Sequence, residues 1–355
     1  MPKTICLFNH KGGVSKTTTS FNVGWGLAKR GKRVLLVDLD SQCNLTGLVF
    51  GMDALDDDIM ESYYDKKGVI TIREIVDDII NGLDLTEKSI ENLKLKSTKN
   101  DNLFLLPGHL DISELDSQIS VSLKVSQGIP VARNIPAKLP KILNAIAKNK
   151  SIDYIIYDLN PGIGGLNQVA LMSSDYFIVP TSPDYFCLQS IISLSKNIPK
   201  WHAEIENFKI INKFGGDFPI TNKPCFLGSV QQRYRIKNAN ATKSFEKWID
   251  RIREEVYNRL VPELEKINCV VDKAVFEDIL KDSGLKPYDL AHISDFNTLI
   301  AISQQLSTPI YDITDEELAS TGKLYGHALT TLKESRDSFK NIFGELVDRI
   351  LLLTK

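Results

Sequence analysis

Ten consecutive residues constrain this chain more than any other stretch: Asn9-His10-Lys11-Gly12-Gly13-Val14-Ser15-Lys16-Thr17-Thr18. An unbroken apolar run, Ile5 to Phe8, comes just before them. Just after them, Phe21, Val23, Gly24, Leu27 and Ala28 recur at helical spacing and face a core. Strand, glycine loop and helix in that order make a phosphate-binding loop. Small residues let backbone N–H groups point at anionic oxygens, and the helix N-terminus adds a partial positive charge. Lys16 adds a full charge, and the Thr17 hydroxyl is placed to ligate Mg²⁺, a hard cation that takes oxygen. The strict nucleotide pattern, Gly-x-x-x-x-Gly-Lys-Ser/Thr, is not met, because His10 and Ser15 stand at its glycine positions. A plain glycine turn between a strand and a helix is the alternative.

Two later stretches fit the same chemistry. Val34 to Leu39 is apolar but for Asp38, and Asp40 follows. A strand apolar on both faces suits the interior of a parallel sheet, and carboxylates at its C-terminal edge lie where open α/β sheets bind ligands. An Asp pair capping a turn is the structural alternative. Tyr154 to Tyr157 is again apolar, ends in Asp158, and runs into the turn Asn160-Pro161-Gly162.

Together these motifs resemble the ParA/MinD group of P-loop ATPases, closest to ParA/Soj-type partition ATPases. The hallmark of that group is a deviant Walker A loop, Lys-Gly-Gly-x-Gly-Lys-Thr/Ser. Lys11 matches its extra lysine, while Ser15 replaces its usual Gly. If that position takes positive φ, a serine there costs about 1–3 kcal/mol. Ser41 replaces a Pro of the group, and Asn160 departs from its Asp-x-Pro turn. The likeness covers most of residues 1–195 and, more loosely, 224–312. Asn102 to Gly108 and Asp175 to Phe186 keep the group's order of strand and Pro turn.

The resemblance implies ATP and Mg²⁺ as cofactors. Residues Lys11, Gly12, Gly13, Val14, Ser15, Lys16, Thr17 and Thr18 would hold ATP. Thr17, Asp38, Asp40 and Asp158 would serve the metal, with Asp40 setting the attacking water. Lys11 would reach across a homodimer, formed on ATP binding, to the phosphates of the other copy, much as an arginine finger does. Hydrolysis would be slow alone and faster with a ParB-like or other activating protein. The output would be non-specific DNA binding in plasmid or chromosome partition, or cargo positioning, in the cytoplasm and on the nucleoid. The segment after Val230 and the turn at Ser294-Asp295-Phe296 are candidates for holding adenine.

Two patches bear on the partner. Arg233, Arg235 and Lys237 begin a basic stretch that continues through Lys243, Lys247, Arg251 and Arg253. Cations on one face neutralise phosphates without reading sequence. Arg233 and Arg235 stand out because they precede the helix and have no acidic neighbour in sequence; a solvated helix with internal ion pairs is the bland alternative. The C-terminal stretch from Phe339 to Leu353 is amphipathic. A MinD-like membrane helix is one reading, but its polar face mixes Glu345 and Asp348 with Lys340 and Arg349, so packing on the sheet or a dimer mate is expected. An ATP-dependent metabolic enzyme on the same core remains an alternative, although His10, His109, His202, His292 and His327 form no constellation. A tyrosine autokinase would need a tail rich in tyrosine, which this tail is not.

Composition sets the outer bounds. With 355 residues, 43% hydrophobic and 25% charged, the chain reads as an ordinary globular protein. A net charge of −2 gives no global drive toward nucleic acid, so any such contact must be local. The five cysteines are scattered, without Cys-x-x-Cys, which points to a reducing compartment and away from iron–sulfur relatives. Cys6 and Cys225 read as buried small hydrophobes. Neither a signal peptide nor an apolar run of roughly 20 residues is visible. The P-loop strand opens the chain, which is expected of forms without an N-terminal DNA-binding extension.

Alternating strands and helices predict an α/β fold: a mainly parallel, doubly wound sheet with helices on both faces and extra C-terminal helices. The expected division is an ATPase domain over 1–312, with insertions near 52–100, 196–223 and 240–285, and a helical extension over 313–355 packed on it. Helices are expected at Ile72–Ile80, 111–127, Ile135–Ala147, Tyr185–Ser195 and roughly 240–266. A loop or irregular hairpin is expected at 208–223.

Overall fold

The computed structural model describes residues 2–51, 57–65, 68–83, 87–125, 132–215, 218–234, 236–237, 240–241, 243–281, 283–322 and 325–355. The glycine loop follows β1 (Lys3–Leu7) and opens α1 (Lys16–Lys29), which leads to β2 (Val34–Leu39). Helices α2 (Asn44–Phe50), α3 (Asp57–Tyr64), α4 (Ile72–Ile80) and α5 (Glu87–Asn92) precede the short β3 (Lys96–Ser97) and β4 (Leu103–Leu106). Helices α6 (Ile112–Val125) and α7 (Ile135–Asn149) return the chain to β5 (Tyr154–Leu159). Then come α8 (Gly165–Ser173), β6 (Tyr176–Thr181), α9 (Tyr185–Ile211) and β7 (Cys225–Tyr234). A small pairing of β8 (Ile236–Lys237) with β9 (Asn240–Ala241) leads to α10 (Lys243–Glu255), a π-helical turn over Val256–Leu260, α11 (Val261–Glu265) and α12 (Lys273–Ile279). The chain closes with β10 (Asp289–Ser294), α13 (Thr298–Leu306), α14 (Asp315–Gly322) and α15 (His327–Leu353).

The main sheet has the order β10-β7-β6-β1-β5-β2-β4-β3. Its pairs are parallel except β3 with β4. Every residue of β2 and of β5 is buried, as a strand covered on both faces requires. Helix α1, which runs from β1 past β5 to β2, packs on β2 and β5. Helices α4, α6, α7, α8 and α9 pack against one another in succession. The expected fold class is the observed one.

Helix α15 lies against α1 and β10. Its apolar face is buried through Phe339, Phe343, Leu346, Val347, Ile350 and Leu353. Arg349 donates to the Leu290 carbonyl at 2.8 Å and so covers the edge strand β10. The amphipathic C-terminus is a packed helix, and no helix among the described residues is long and apolar enough to cross a membrane.

The structure corrects the local reading in four places. Helix α9 runs for 27 residues and does not stop near Ser195. Pro199 lies inside this helix, and burial of Ile198, Trp201, Ile205 and Phe208 carries the helix past it. The expected loop at 208–223 therefore begins only after Ile211. Strand β7 extends to Tyr234, so Arg233 belongs to the sheet and not to a lead-in to a helix. Cys225 is half-buried, unlike the fully buried Cys6.

Candidate functional site

The C-terminal ends of β1, β2 and β5 bring three motifs together. In the sheet register Leu7 pairs with Asp158, and Asp158 pairs with Asp38. Asp40 follows one residue beyond β2. The glycine loop thus lies between two carboxylate-ending strands, in the crevice where open α/β sheets place ligands. A cavity of about 330 Å³ is lined there by Gly12 to Thr18 together with Asp40, Gln42, Pro161 and Arg233.

The loop is shaped by its backbone. Asn9 is fully buried, donates to the Pro180 carbonyl at 2.8 Å and accepts from the Lys11 amide at 3.0 Å. Gly13 takes φ +73°, and Ser15, the N-cap of α1, takes φ +57°. Ser15 makes no side-chain capping bond, so its left-handed backbone is held by the loop alone. Left-handed geometry costs a non-glycine residue about 1–2 kcal/mol, while glycine costs about 0.5–1 kcal/mol in chain entropy. Ser15→Gly is therefore expected to stabilise the chain by up to about 1 kcal/mol, read as a higher urea midpoint at an unchanged slope. A lower midpoint would show that Ser15 has a stabilising partner here.

Lys16 is buried and curls over the loop, donating to the carbonyls of Asn9 at 3.0 Å and Lys11 at 3.3 Å. Burial lowers its pKa, against the pull of Asp158 and Asp40. Asp158 is fully buried; one oxygen accepts from Ser20 at 3.3 Å and the other has no hydrogen-bond partner. Burial pushes its carboxyl up to about 7, with Asp38 adding to the rise and Thr17 and Lys16 opposing it. Buried polar atoms left unpaired are rare and mark a missing partner. A hard cation suits this oxygen, with the Thr17 hydroxyl beside it. Among the described residues no three His, Cys, Asp or Glu side chains gather as a metal cage. Such a site fits Mg²⁺, which keeps waters and takes substrate phosphate as ligands.

Asp38 is held from three sides by its own turn. Its Oδ2 accepts from the Thr46 amide at 2.8 Å and the Thr46 hydroxyl at 2.7 Å, and its Oδ1 accepts from the Asp40 amide at 3.2 Å. Both oxygens accept from protein donors, so Asp38 fixes the turn after β2, and any part in the metal shell would be a supporting one. Burial pushes it up to about 6. Asp40 does face the cavity; its Oδ1 accepts from the Gln42 amide at 3.0 Å. Asn160 has a structural role in the turn after β5, where its side chain accepts from Asn167 at 2.7 Å. Pro161 of that turn lies against Gly12.

Lys11 points away from the cavity. Its ammonium forms an ion pair with Asp184 at 2.5 Å and lies 3.5 Å from the Cys187 sulfur. Asp184 is also the N-cap of α9, accepting from the Cys187 amide at 2.9 Å. An Asp just before a predicted helix start is the sequence signal that could have flagged it. Arg233 is likewise partnered, because its guanidinium donates to the Gly13 carbonyl. Arg235 lies outside the described residues, and Lys237 sits in the two-residue strand β8.

The pattern of the AAA-domain family matches residues 2–210. An uncharacterised protein of Methanocaldococcus jannaschii is 35% identical over 188 residues, covering 53% of this chain and 61% of that protein. The sporulation initiation inhibitor protein Soj of Bacillus subtilis is 31% identical over 198 residues, covering 56% of this chain and 65% of Soj. The chain thus spans less than two thirds of these relatives' length. In fold it is similar to the ATP complex of McdA from Cyanothece, with a TM-score of 0.57 and 16% identity over 97% of this chain and 96% of that one. A glycine loop, two carboxylate-ending strands and these matches agree: the chain belongs to the AAA-domain family, within its ParA/MinD group of P-loop ATPases.

Proposed function

We propose that this chain is an ATP- and Mg²⁺-dependent dimerisation switch of the ParA kind, binding DNA non-specifically in partition or cargo positioning. The observation that carries this reading is Lys16 curled over the glycine loop while the buried Asp158 at the end of β5, close enough to act on its charge, keeps one oxygen without a hydrogen-bond partner. The McdA structure similar in fold carries ATP, which supports the same ligand here. Gly12 to Thr18 cradle the phosphates through backbone amides, and Lys16 exchanges its two carbonyl partners for phosphate oxygens. Asp158 and Thr17 hold the Mg²⁺ side, and Asp40 orients the water. Mg²⁺, when bound, neutralises charge on the phosphates. The cavity lined by Tyr234, Ser294, Asp295 and Phe296 adjoins the loop through β7 and suits the adenine end.

Pairing moves Lys11 from Asp184 to the phosphates of the second copy. Without nucleotide the move would break the Asp184 ion pair and gain nothing, whereas with nucleotide one ion pair replaces another, so pairing is favoured only when nucleotide is bound. Lys11→Ala is expected to bind ATP as a monomer but to lose both dimer formation and turnover, read by light scattering and phosphate release. A variant that paired and hydrolysed like the parent would exclude the shared-site mechanism. The DNA step is tested by retention on DNA with ATP, ADP or no nucleotide at two salt concentrations. Retention that ignores both nucleotide and salt would remove DNA from the function.

A further inference from the structure

Strand β7 does not end regularly. Gln232 pairs with Ile293 and Tyr234 with Ser294, so Arg233 is an extra residue between two rungs of the ladder. It takes φ +60°, the left-handed region, in a side chain that gains nothing from it locally. A bulge of this kind re-aims the side chain it carries, and such bulges gather beside active sites. Here the guanidinium is turned out of the sheet onto the glycine loop, where it donates to the Gly13 carbonyl. A Cβ on Gly13 would stand 3.3 Å from the Arg233 Nη1. The neighbouring Gln232, fully buried, donates to Thr19 of α1 at 2.7 Å and pins the end of β7 to the loop's own helix.

The cavity wall carries two cations, Lys16 and Arg233, while Lys11 is turned to Asp184. Arg233 stands at the Gly12–Gly13 end, the end that also meets Pro161 of the β5 turn. In a loop of this type the amides cradle the inner phosphates and the loop lysine reaches the outer one, and Arg233, at Gly13, brings a second cation to the same cavity. A guanidinium holds its charge at any working pH and can offer two N–H groups to one phosphate.

We propose that Arg233 contacts the terminal phosphate of the nucleotide within its own subunit, exchanging the Gly13 carbonyl for phosphate oxygens and thereby separating ATP from ADP. This rests on the nucleotide reading above and names the residue that reads the third phosphate. It moves Arg233 from a DNA contact to a nucleotide contact. The bulge explains why an arginine is held in a backbone state that suits glycine: the strain aims the side chain.

The test is a fluorescence titration of the full chain and of Arg233→Ala and Arg233→Lys with labelled ADP and a labelled slowly hydrolysed ATP analogue, each with Mg²⁺. Thermal melts check that the variants fold. Arg233→Ala is expected to weaken the triphosphate roughly ten-fold or more, the loss of a charged hydrogen bond, and the diphosphate much less. Arg233→Lys is expected to recover part of the triphosphate loss. Equal losses for both nucleotides, or none, would overturn the proposal while leaving the nucleotide reading in place. Loss of DNA retention with unchanged nucleotide preference would also overturn it. A parent chain that binds neither nucleotide would overturn the nucleotide reading, and this proposal with it.

Discussion

Lys16→Ala is expected to reduce ATP affinity by at least about 100-fold while leaving the chain folded. Two charge-assisted hydrogen bonds to phosphate contribute about 1.5–3 kcal/mol each, and each 1.4 kcal/mol is ten-fold in affinity. In the structure those bonds go to the Asn9 and Lys11 carbonyls, so the ammonium is already aimed along the loop. Little ordering is then required when phosphate arrives. Folding should survive, because burial works against this charge: it lowers the Lys16 pKa despite Asp158 and Asp40 nearby. Calorimetric titration with Mg-ATP, beside a thermal melt, separates the two effects. Affinity within a few-fold of the parent chain would mean that the loop's amides do the binding without Lys16.

The parts of this molecule that are legible in sequence are the ones specified locally. The glycine loop, the carboxylates after β2 and β5, and the parallel sheet all follow from short runs whose burial and chemistry agree. Ser15's left-handed backbone is readable too, since a glycine usually stands at that position of the loop. What sequence does not give is the pairing of side chains far apart. Lys11 and Asp184 are 173 residues apart, and Arg233 is 220 residues from Gly13. No periodicity links such positions; only the sheet order β7-β6-β1 brings them to one edge. The same holds for Asp38. Its spacing from Asp40 does not reveal that Thr46, eight residues on, donates twice to its Oδ2. Pro199 does not act as a stop signal because the apolar face of α9 outweighs one lost backbone bond.

Asp158→Asn is expected to make the metal-free chain more stable at pH 8 while removing Mg²⁺-dependent stabilisation by ATP. Asp158 is buried beside Asp38, and burial, the largest cause, carries it from an ordinary 3.8 to about 7. A carboxyl raised in the folded state binds its proton more tightly folded than unfolded. Between about 4 and 7 the unfolded chain releases that proton first, so this group's contribution to stability falls as pH rises through that window. At pH 8 its charge is buried at a cost, offset in part by Lys16 and Thr17. A ten-fold change in proton affinity corresponds to about 1.4 kcal/mol, so the neutral amide gains at most roughly 4 kcal/mol. Urea unfolding in chelator at pH 8 and pH 5 reads the effect: a clear gain at pH 8 that shrinks at pH 5. Cation binding explains why such a cost is kept, since a carboxylate with one free oxygen is a poor structural group and a good ligand. A less stable Asp158→Asn at pH 8 would instead make Asp158 and Lys16 a structural ion pair, and the metal reading of that oxygen would fall.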